Sequence, residues 1–562
     1  MSDRIQGMRA WFKSGTPWIW LNGGAVAICM LMVIGLIGLI AVRGFSHFWP
    51  ADVARVVIQQ EDDEALVIYG EIIRAQTIPA AVATDNGIVV PQGRELITRY
   101  LLKQGNRDQT GRDFVWYAEL GMEEFSYPDN IFTIERREWG NFYGTPVVLM
   151  NGTDVVAEAD SADFWEHLQA AVARSIDLHE QIEDLERGRI GRINTQIERL
   201  RLEERQLELN ETDAFVRDAV LNDIALRRER LNAEYGVLRS ELDLLYQATS
   251  RDTLRMQMSD GTIVDLSLAS IVRVTAANAM SVPGKLGQYL ERLWEFFSED
   301  PREANTEGGI FPAIFGTVTM VFVMSIIVTP FGILAAIYLR EYAKQGLLTR
   351  IIRISVYNLA GVPSIVYGVF GLGFFVYFLG GSIDQLFYEA ALPAPTFGTP
   401  GLFWASLTLA LLTLPIVIVS TEEGLARIPS TIRQGSLALG ATKAETLWKV
   451  IVPLATPAMM TGLILAIARA AGEVAPLMLV GVVKLAPTLP VDGIFPYIHL
   501  ERKIMHLGFH IYDVGFQSPN VEAARPLVYA TALILVMLIV VLNLTAISIR
   551  NHLRERYRSA SD

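Results

Sequence analysis

The chain has 562 residues, is 51% hydrophobic and has a positive mean hydropathy, which excludes an ordinary soluble globular protein. Its formal charge of −13 is uneven: Gly44 to Gly308 holds 27 Lys/Arg against 47 Asp/Glu, and the remaining residues hold 21 against 14. An acidic domain joined to a mildly basic membrane unit follows, and with no basic stripe beyond the membrane flanks no nucleic-acid partner is expected.

Residues 1–43 read as a cytoplasmic N-terminus and a first span. Leu21 to Val42 carries no charge, is preceded by Arg4, Arg9 and Lys13, and lacks a good cleavage site after it, so an uncleaved span is favoured over a signal peptide. The single cysteine, Cys29, lies within this run as a small hydrophobe and permits no intramolecular disulfide.

Residues 44–305 read as an α/β domain. Asn151-Gly152 and Asp260-Gly261 each separate two apolar runs and predict β-hairpins, with further strands at Val67–Tyr69, Gly87–Val90 and Ile271–Val274. Ala162 to Gln247 is charged and helical. Ile224, Leu231, Leu238 and Leu245 recur every seven residues, with Leu221, Tyr235 and Leu242 on the other seam; Ile190, Ile193, Ile197 and Leu200 continue to Leu207. Asn210 to Asp213 breaks the pattern, which predicts an antiparallel coiled-coil hairpin acting as a structural or docking module. Leu286, Leu290, Leu293, Trp294 and Phe297 share one helical face, which suits either the membrane surface or the domain core.

Five more spans are expected at Ile310–Leu339, Ser355–Leu379, Leu402–Ser420, Pro457–Val483 and Leu527–Ile549, with Thr329-Pro330 and Val362-Pro363 as candidate kinks. Arg340, Lys344, Arg350 and Arg353 fall in one connection, Arg427, Arg433, Lys443 and Lys449 in another, and Arg550, Arg554, Arg556 and Arg558 in the tail. Gly380 to Gly401 has neither Lys nor Arg. This bias places both termini in the cytoplasm and the acidic domain outside.

Arg469 and Glu473 lie four apart within the fifth expected span, hence on one helical face. Intramembrane charges cost about 2.5–3.5 kcal/mol on insertion scales, so the two face a cavity, pair together, or both. A planar guanidinium suits an oxyanion; a salt bridge that locks the helices is the structural alternative. No phosphate-binding Gly-x-x-x-x-Gly-Lys-[Ser/Thr] loop occurs, since Pro283-Gly-Lys285 lacks the context, so no catalytic residue and no cofactor are assigned and ATP hydrolysis is expected on a partner chain. His506 and His510 near Glu501 are too few ligands for a metal site.

Gln434-Gly435-Ser436, Leu439-Gly440-Ala441 and Val450-Ile-Val-Pro453 resemble the cytoplasmic coupling loop of ABC-importer permeases. Gly440 and Pro453 fall in register, while Gln434-Gly435-Ser436 stands where that family has Glu-Ala-Ala. Ala468-Arg469, Gly472-Glu473 and Pro476-Leu477 resemble the Ala-Arg-x-x-Gly-Glu-x-x-Pro-Leu pattern of the A-type permease subunits of the phosphate importer (PstA). Glu307–Ile310, Gly316-Thr317, Ala336–Tyr342, Val362–Gly368 and Ala438–Lys443 agree with it, covering about 305–551.

The resemblance implies a type I ABC importer permease, an all-α polytopic protein of about six transmembrane helices, the first span and those of the permease domain at 306–551, with a coupling loop at 421–455 and a tail at 552–562. It also implies an inner-membrane location, inorganic phosphate as substrate, a second permease subunit (PstC-type), an ATPase dimer (PstB-type) and a periplasmic binding protein (PstS-type). Arg469 would then contact the anion and Glu473 orient or gate it. Another oxyanion, or a membrane-anchored sensor or scaffold using the coiled-coil domain, stands as the alternative. The 44–305 insert exceeds an ordinary first loop of the family, so the resemblance gives it no role.

Overall fold

The computed structural model describes residues 11–59, 65–85, 89–91, 93–120, 122, 125–210, 214–518 and 521–558. Arg4, Arg9, residues 87 and 88 of the expected Gly87–Val90 strand, residues 211–213 of the expected helix break, and the side chains of Arg554, Arg556 and Arg558 lie outside it. Val89 and Val90 are not in a strand.

Helix α1 (Thr16–Phe45) follows Gly15, whose φ of +76° suits glycine, and has Pro17 in its first turn. It exposes apolar side chains along its length, as a helix bounded by lipid does. Near its end Gly44 lies against the backbone of Ala530, a contact that leaves no space for a β-carbon.

The folded domain comes next. Strands β1 (Val53–Gln59), β2 (Ala65–Pro79), β3 (Leu96–Lys103) and β4 (Phe114–Ala118) form an antiparallel sheet in that order. Strands β5 (Phe132–Arg136), β6 (Phe142–Asn151), β7 (Asp154–Glu158), β8 (Asp252–Gln257), β9 (Ile263–Ser267) and β10 (Ile271–Thr275) form a second, ordered β10-β5-β6-β8-β9 with β7 also on β6. Asn151 pairs with Asp154 and Gln257 with Ile263, so both glycine-containing turns close hairpins; Gly152 and Gly261 have positive φ. Every pairing is antiparallel, so the domain is of mixed α+β type rather than a parallel α/β fold.

Between β7 and β8 the chain runs out along α2 (Phe164–Glu183), a π-helical turn (Asp184–Ile190) and α3 (Gly191–Leu209), and returns along α4 (Ala214–Thr249). The partners Glu186–Tyr246, Arg189–Glu241 and Glu204–Arg228 rise on one side as they fall on the other, so the helices are antiparallel. Ile182, Leu185, Ile190 and Ile193 bury against Leu238 and Leu242. Leu185 and Ile190 are five apart, a step that would rotate an α-helix off its seam. The π turn absorbs the extra residue and keeps both on the packed face.

Helix α5 (Val282–Ser298) starts at Ser281, whose hydroxyl accepts from the Gly284 N–H. Tyr289, Leu293, Phe296 and Phe297 pack with Phe48, Ile310 and Leu527 at the junction with the membrane unit, while Leu286, Leu290 and Trp294 (71% exposed) point outward. The expected single apolar face is therefore split between two surroundings. A ribbon of β11 (Pro301–Arg302) and β12 (Glu307–Gly308) leads into the membrane.

The membrane unit comprises α6 (Phe311–Tyr342), α7 (Leu347–Leu359), α8 (Ser364–Phe387), α9 (Leu402–Arg427), α10 (Ser430–Ala438), α11 (Lys443–Gly472), α12 (Leu507–Tyr512) and α13 (Val521–Arg558). With α1, six helices among the described residues are long and apolar enough to cross a membrane. Helix α9 is the most buried of these six, and small residues let its neighbours approach: Gly332 meets Val417, Gly424 meets Ala458 and Gly462 meets Ser420.

Two expected spans are corrected. The third begins at Ser364, not Ser355, because the chain leaves the helix at Gly361 and Pro363 cannot supply an N–H; 347–359 is a separate amphipathic helix. The fifth ends at Gly472 rather than Val483, and 473–476 is non-helical up to the short turn Leu477–Val480. By contrast α6 continues through Pro330 without a break.

Candidate functional site

The correction to the fifth span changes how its two charges meet. Arg469 is in the last turn of α11, and Glu473 is the residue that caps it, with extended backbone (φ −79°, ψ 134°). They do not share a helical face. The turn nevertheless brings Glu473 Oε1 to 3.5 Å from Arg469 Nε, with the side chains 32% and 21% exposed. Neither η nitrogen of Arg469 makes a hydrogen bond among the described residues, and 3.5 Å is the shortest approach of the guanidinium to the carboxylate.

Local packing holds this arrangement in place. Ala466, Ala470 and Ala471 bury one face of α11 in the core that contains α9, so Arg469 projects from another. Pro476 lies against Gly368 of α8 so closely that a β-carbon there would fall 2.7 Å from its Cα, and Tyr367 donates to the Leu359 carbonyl across the break before α8. Two interruptions of membrane helices thus meet beside the Arg469–Glu473 pair. Irregular backbone at membrane depth is tolerated where it lines a cavity or is buried in protein. A guanidinium with one loose carboxylate contact can accept an oxyanion by exchanging one partner for another.

About 30 residues upstream lies the second part of the site. Helix α10 carries Gln434, Gly435 and Ser436; Gln434 and Gly435 are exposed, and Ser436 contacts Thr446 Oγ1 at 2.8 Å. Leu439 is 91% exposed, and Gly440 follows at φ +89°, which requires glycine. Ala441 leads to Thr442, which forms a capping box with Glu445 at the start of α11, and Pro453 lies a few turns on.

Sequence reasoning missed what anchors this loop. Arg433 donates to Glu341 (2.8 Å) and to the Ile428 and Leu425 carbonyls (2.6 and 2.8 Å). Lys443 donates to the Glu341 carbonyl (2.6 Å) and sits 4.7 Å from the Tyr342 ring centre. These hydrogen bonds tie α10 and the start of α11 to the C-terminal end of α6. Arg433 and Lys443 stood out in the sequence as membrane-flanking cations, and Lys443 and Glu341 also fall in the family-like stretches Ala438–Lys443 and Ala336–Tyr342, but nothing there joined residues about 100 positions apart.

His506 and His510 are buried. His506 Nδ1 accepts from the Gly508 N–H, and burial lowers both histidines to a pKa of about 4. The described residues contain no group of three or more His, Cys, Asp or Glu placed to hold a metal.

The geometry defines a polytopic membrane protein with an accessible ion pair between broken helices and a glycine turn whose flanks are tied to the C-terminal end of α6. Residues 328–559 match the model of the binding-protein-dependent transport system inner membrane component family. The phosphate transport system permease protein PstA 1 of Mycobacterium tuberculosis is 37% identical over 175 residues, 31% of this chain and 52% of the relative, so the chain spans about half the length of that relative. The probable PstA of Methanocaldococcus jannaschii is 32% identical over 241 residues, 42% of this chain and 73% of the relative. Among solved structures, an inward-facing MetNI methionine ABC transporter is similar at 17% identity and a TM-score of 0.32, over 49% of this chain and 99% of that one. The chain belongs to the PstA-type permease family.

Proposed function

We propose that this chain is the transmembrane permease subunit of an ATP-driven importer that carries inorganic phosphate across the inner membrane. The observation that carries the reading is the Arg469–Glu473 pair, a loosely held guanidinium beside two helix interruptions. Phosphate entering from outside displaces the Glu473 carboxylate from Arg469 and takes paired hydrogen bonds from the guanidinium. Glu473 then repels the anion, which keeps the bound state from becoming a trap. The names of the relatives support phosphate as the anion.

Both termini and the 421–455 loop lie in the cytoplasm in this reading, and the 44–305 domain, with its coiled-coil hairpin, lies in the periplasm, as the Lys/Arg distribution favours. Helix α10, with Gln434, Gly435, Ser436 and Leu439 outward, docks on a separate ATPase of PstB type. A PstC-type permease completes the pore, and a PstS-type binding protein delivers the anion. ATPase closure moves α10, and the Arg433–Glu341 and Lys443–Glu341 contacts pass that movement to α6.

Energy-dependent uptake of labelled phosphate in cells carrying the complete transporter tests the reading. Uptake that excess phosphate competes away and excess sulfate leaves unchanged is the expected result. Competition by sulfate at equal concentration would replace phosphate by a broader oxyanion class, and no energy-dependent uptake of either would contradict the permease reading.

A further inference from the structure

A cavity of about 510 Å³ opens at the cytoplasmic ends of α9, α11 and α13, at the root of α10. Arg427, in the last turn of α9, and Arg550, on α13, line it, and no Asp or Glu does. Neither arginine has an ion-pair partner among the described residues; Arg550 Nη1 reaches Thr461 Oγ1 at 3.5 Å. The other walls are apolar, from Ile432 on α10 and Leu454 and Pro457 on α11. Of the two carboxylates on α9 shortly before Arg427, Glu422 contacts Arg353 at 2.6 Å, and Glu423 is exposed and makes no ion pair among the described residues.

Two unpaired guanidiniums facing one cavity repel each other unless an anion lies between them. Hydrocarbon walls beside them are wasted on a small hydrated ion but suit a ligand with an apolar part. Basic pockets between membrane helices on the cytoplasmic side are the recurrent setting for anionic lipid headgroups. We propose that this cavity is a site for a phosphoryl oxyanion, held by Arg427 and Arg550, and that its occupant is an anionic phospholipid whose glycerol and first acyl carbons lie on Ile432, Leu454 and Pro457. The proposal rests on the orientation given under Proposed function, because the anionic headgroups must reach this end of the helices.

The lipid contributes to coupling by its position. Arg427, Ile428 and Pro429 connect α9 to α10, so a headgroup here braces the base of the helix that meets the ATPase. A lipid in this cavity touches the moving part itself rather than only the perimeter of the bundle.

Native mass spectrometry of the full-length chain in its purified transporter complex, titrated with phosphatidylglycerol, phosphatidylcholine or inorganic phosphate, tests this. Phosphatidylglycerol is expected to bind about fivefold more weakly in Arg427→Gln or Arg550→Gln and about 25-fold more weakly in the double variant, on roughly 1 kcal/mol per guanidinium. Phosphatidylcholine binding should not change. Leu454→Trp, which fills the apolar wall and keeps both charges, should also weaken phosphatidylglycerol. Complex assembly and melting temperature, followed in every variant, separate a local effect from misfolding.

Inorganic phosphate that displaces phosphatidylglycerol, with binding untouched by Leu454→Trp, would make the occupant a free anion and overturn the lipid assignment. Equal phosphatidylglycerol binding by wild-type and double-variant protein would overturn the site. The readout is binding, so it stands apart from any failure of phosphate uptake.

Discussion

The two-sheet domain that precedes the 301–308 ribbon and the membrane unit each enclose charge, and they do so in opposite ways. At the base of the domain Glu135 is surrounded by Arg302 at 2.7 Å, Arg273 at 3.3 Å and Arg292 at 3.9 Å, and Arg273 also pairs with Glu295. Burial opposes the Glu135 charge, but Arg292, Arg273 and Arg302 outweigh it and hold the carboxyl below its usual range. In the membrane Arg469 has one carboxylate, approached no closer than 3.5 Å. A charge shared among three partners joins β5, β10, α5 and the 301–308 ribbon and is not available to a ligand. A charge with one loose partner is available. The number of partners, more than burial, separates a structural ion from one that can exchange.

The largest expected effect comes from removing the hub of the first network. Glu135→Ala leaves three guanidiniums clustered without their anion and should destabilise the domain by about 3–5 kcal/mol. Hydrogen exchange of the β5 and β10 amides in the full chain measures this; unchanged exchange would show that the cluster does not hold the junction together.

Next is Arg469→Ala, which leaves Glu473 without its cation and the anion without its donor, a loss of about 3 kcal/mol, or roughly a hundredfold in uptake. The domain's hydrogen exchange should stay the same, which is the contrast with Glu135→Ala.

A smaller effect belongs to Glu307, beside the same network. Burial above all, with help from Glu135 and Glu303, raises it to about 7, against the opposing pull of Lys103 and Arg302. Its Oε2 has no hydrogen-bond partner among the described residues, as suits a carboxyl held protonated. Because the folded pKa exceeds the unfolded one, the folded chain holds a proton that the unfolded chain has lost between about 4.5 and 7. This stabilisation is complete at the acid end and is lost as pH rises to about 7. Glu307→Gln should remove that slope, a difference of at most about 3 kcal/mol across the window. Parallel stability curves for the two proteins would contradict it.

The smallest is Gly440→Ala. At φ +89° an alanine costs about 1 kcal/mol and should loosen the 439–441 turn alone, seen as faster exchange over 436–441 with the domain unaffected.

Span number and the two β-hairpins were legible because each rests on local chemistry, an uncharged run long enough to cross hydrocarbon or a glycine turn between alternating strands. Span boundaries were not. Ser355–Leu359 and Glu473–Val483 are apolar enough to continue a span, and hydropathy does not register the chain leaving the helix at Gly361-Val362-Pro363 or at Glu473. The same blind spot placed Arg469 and Glu473 on one helical face, although the pair itself forms. Gly440 was readable because only one residue type suits its backbone. The Glu341 brace and the Glu135 network were not, since their partners are about 100 and more residues apart and arise only from the packing of whole elements.

The most direct test of the central claim compares labelled phosphate uptake by wild-type and Arg469→Ala transporter at equal membrane abundance and equal association with the ATPase. Uptake reduced about a hundredfold is the predicted result. Uptake equal to wild type would remove Arg469 from the pathway and contradict the account.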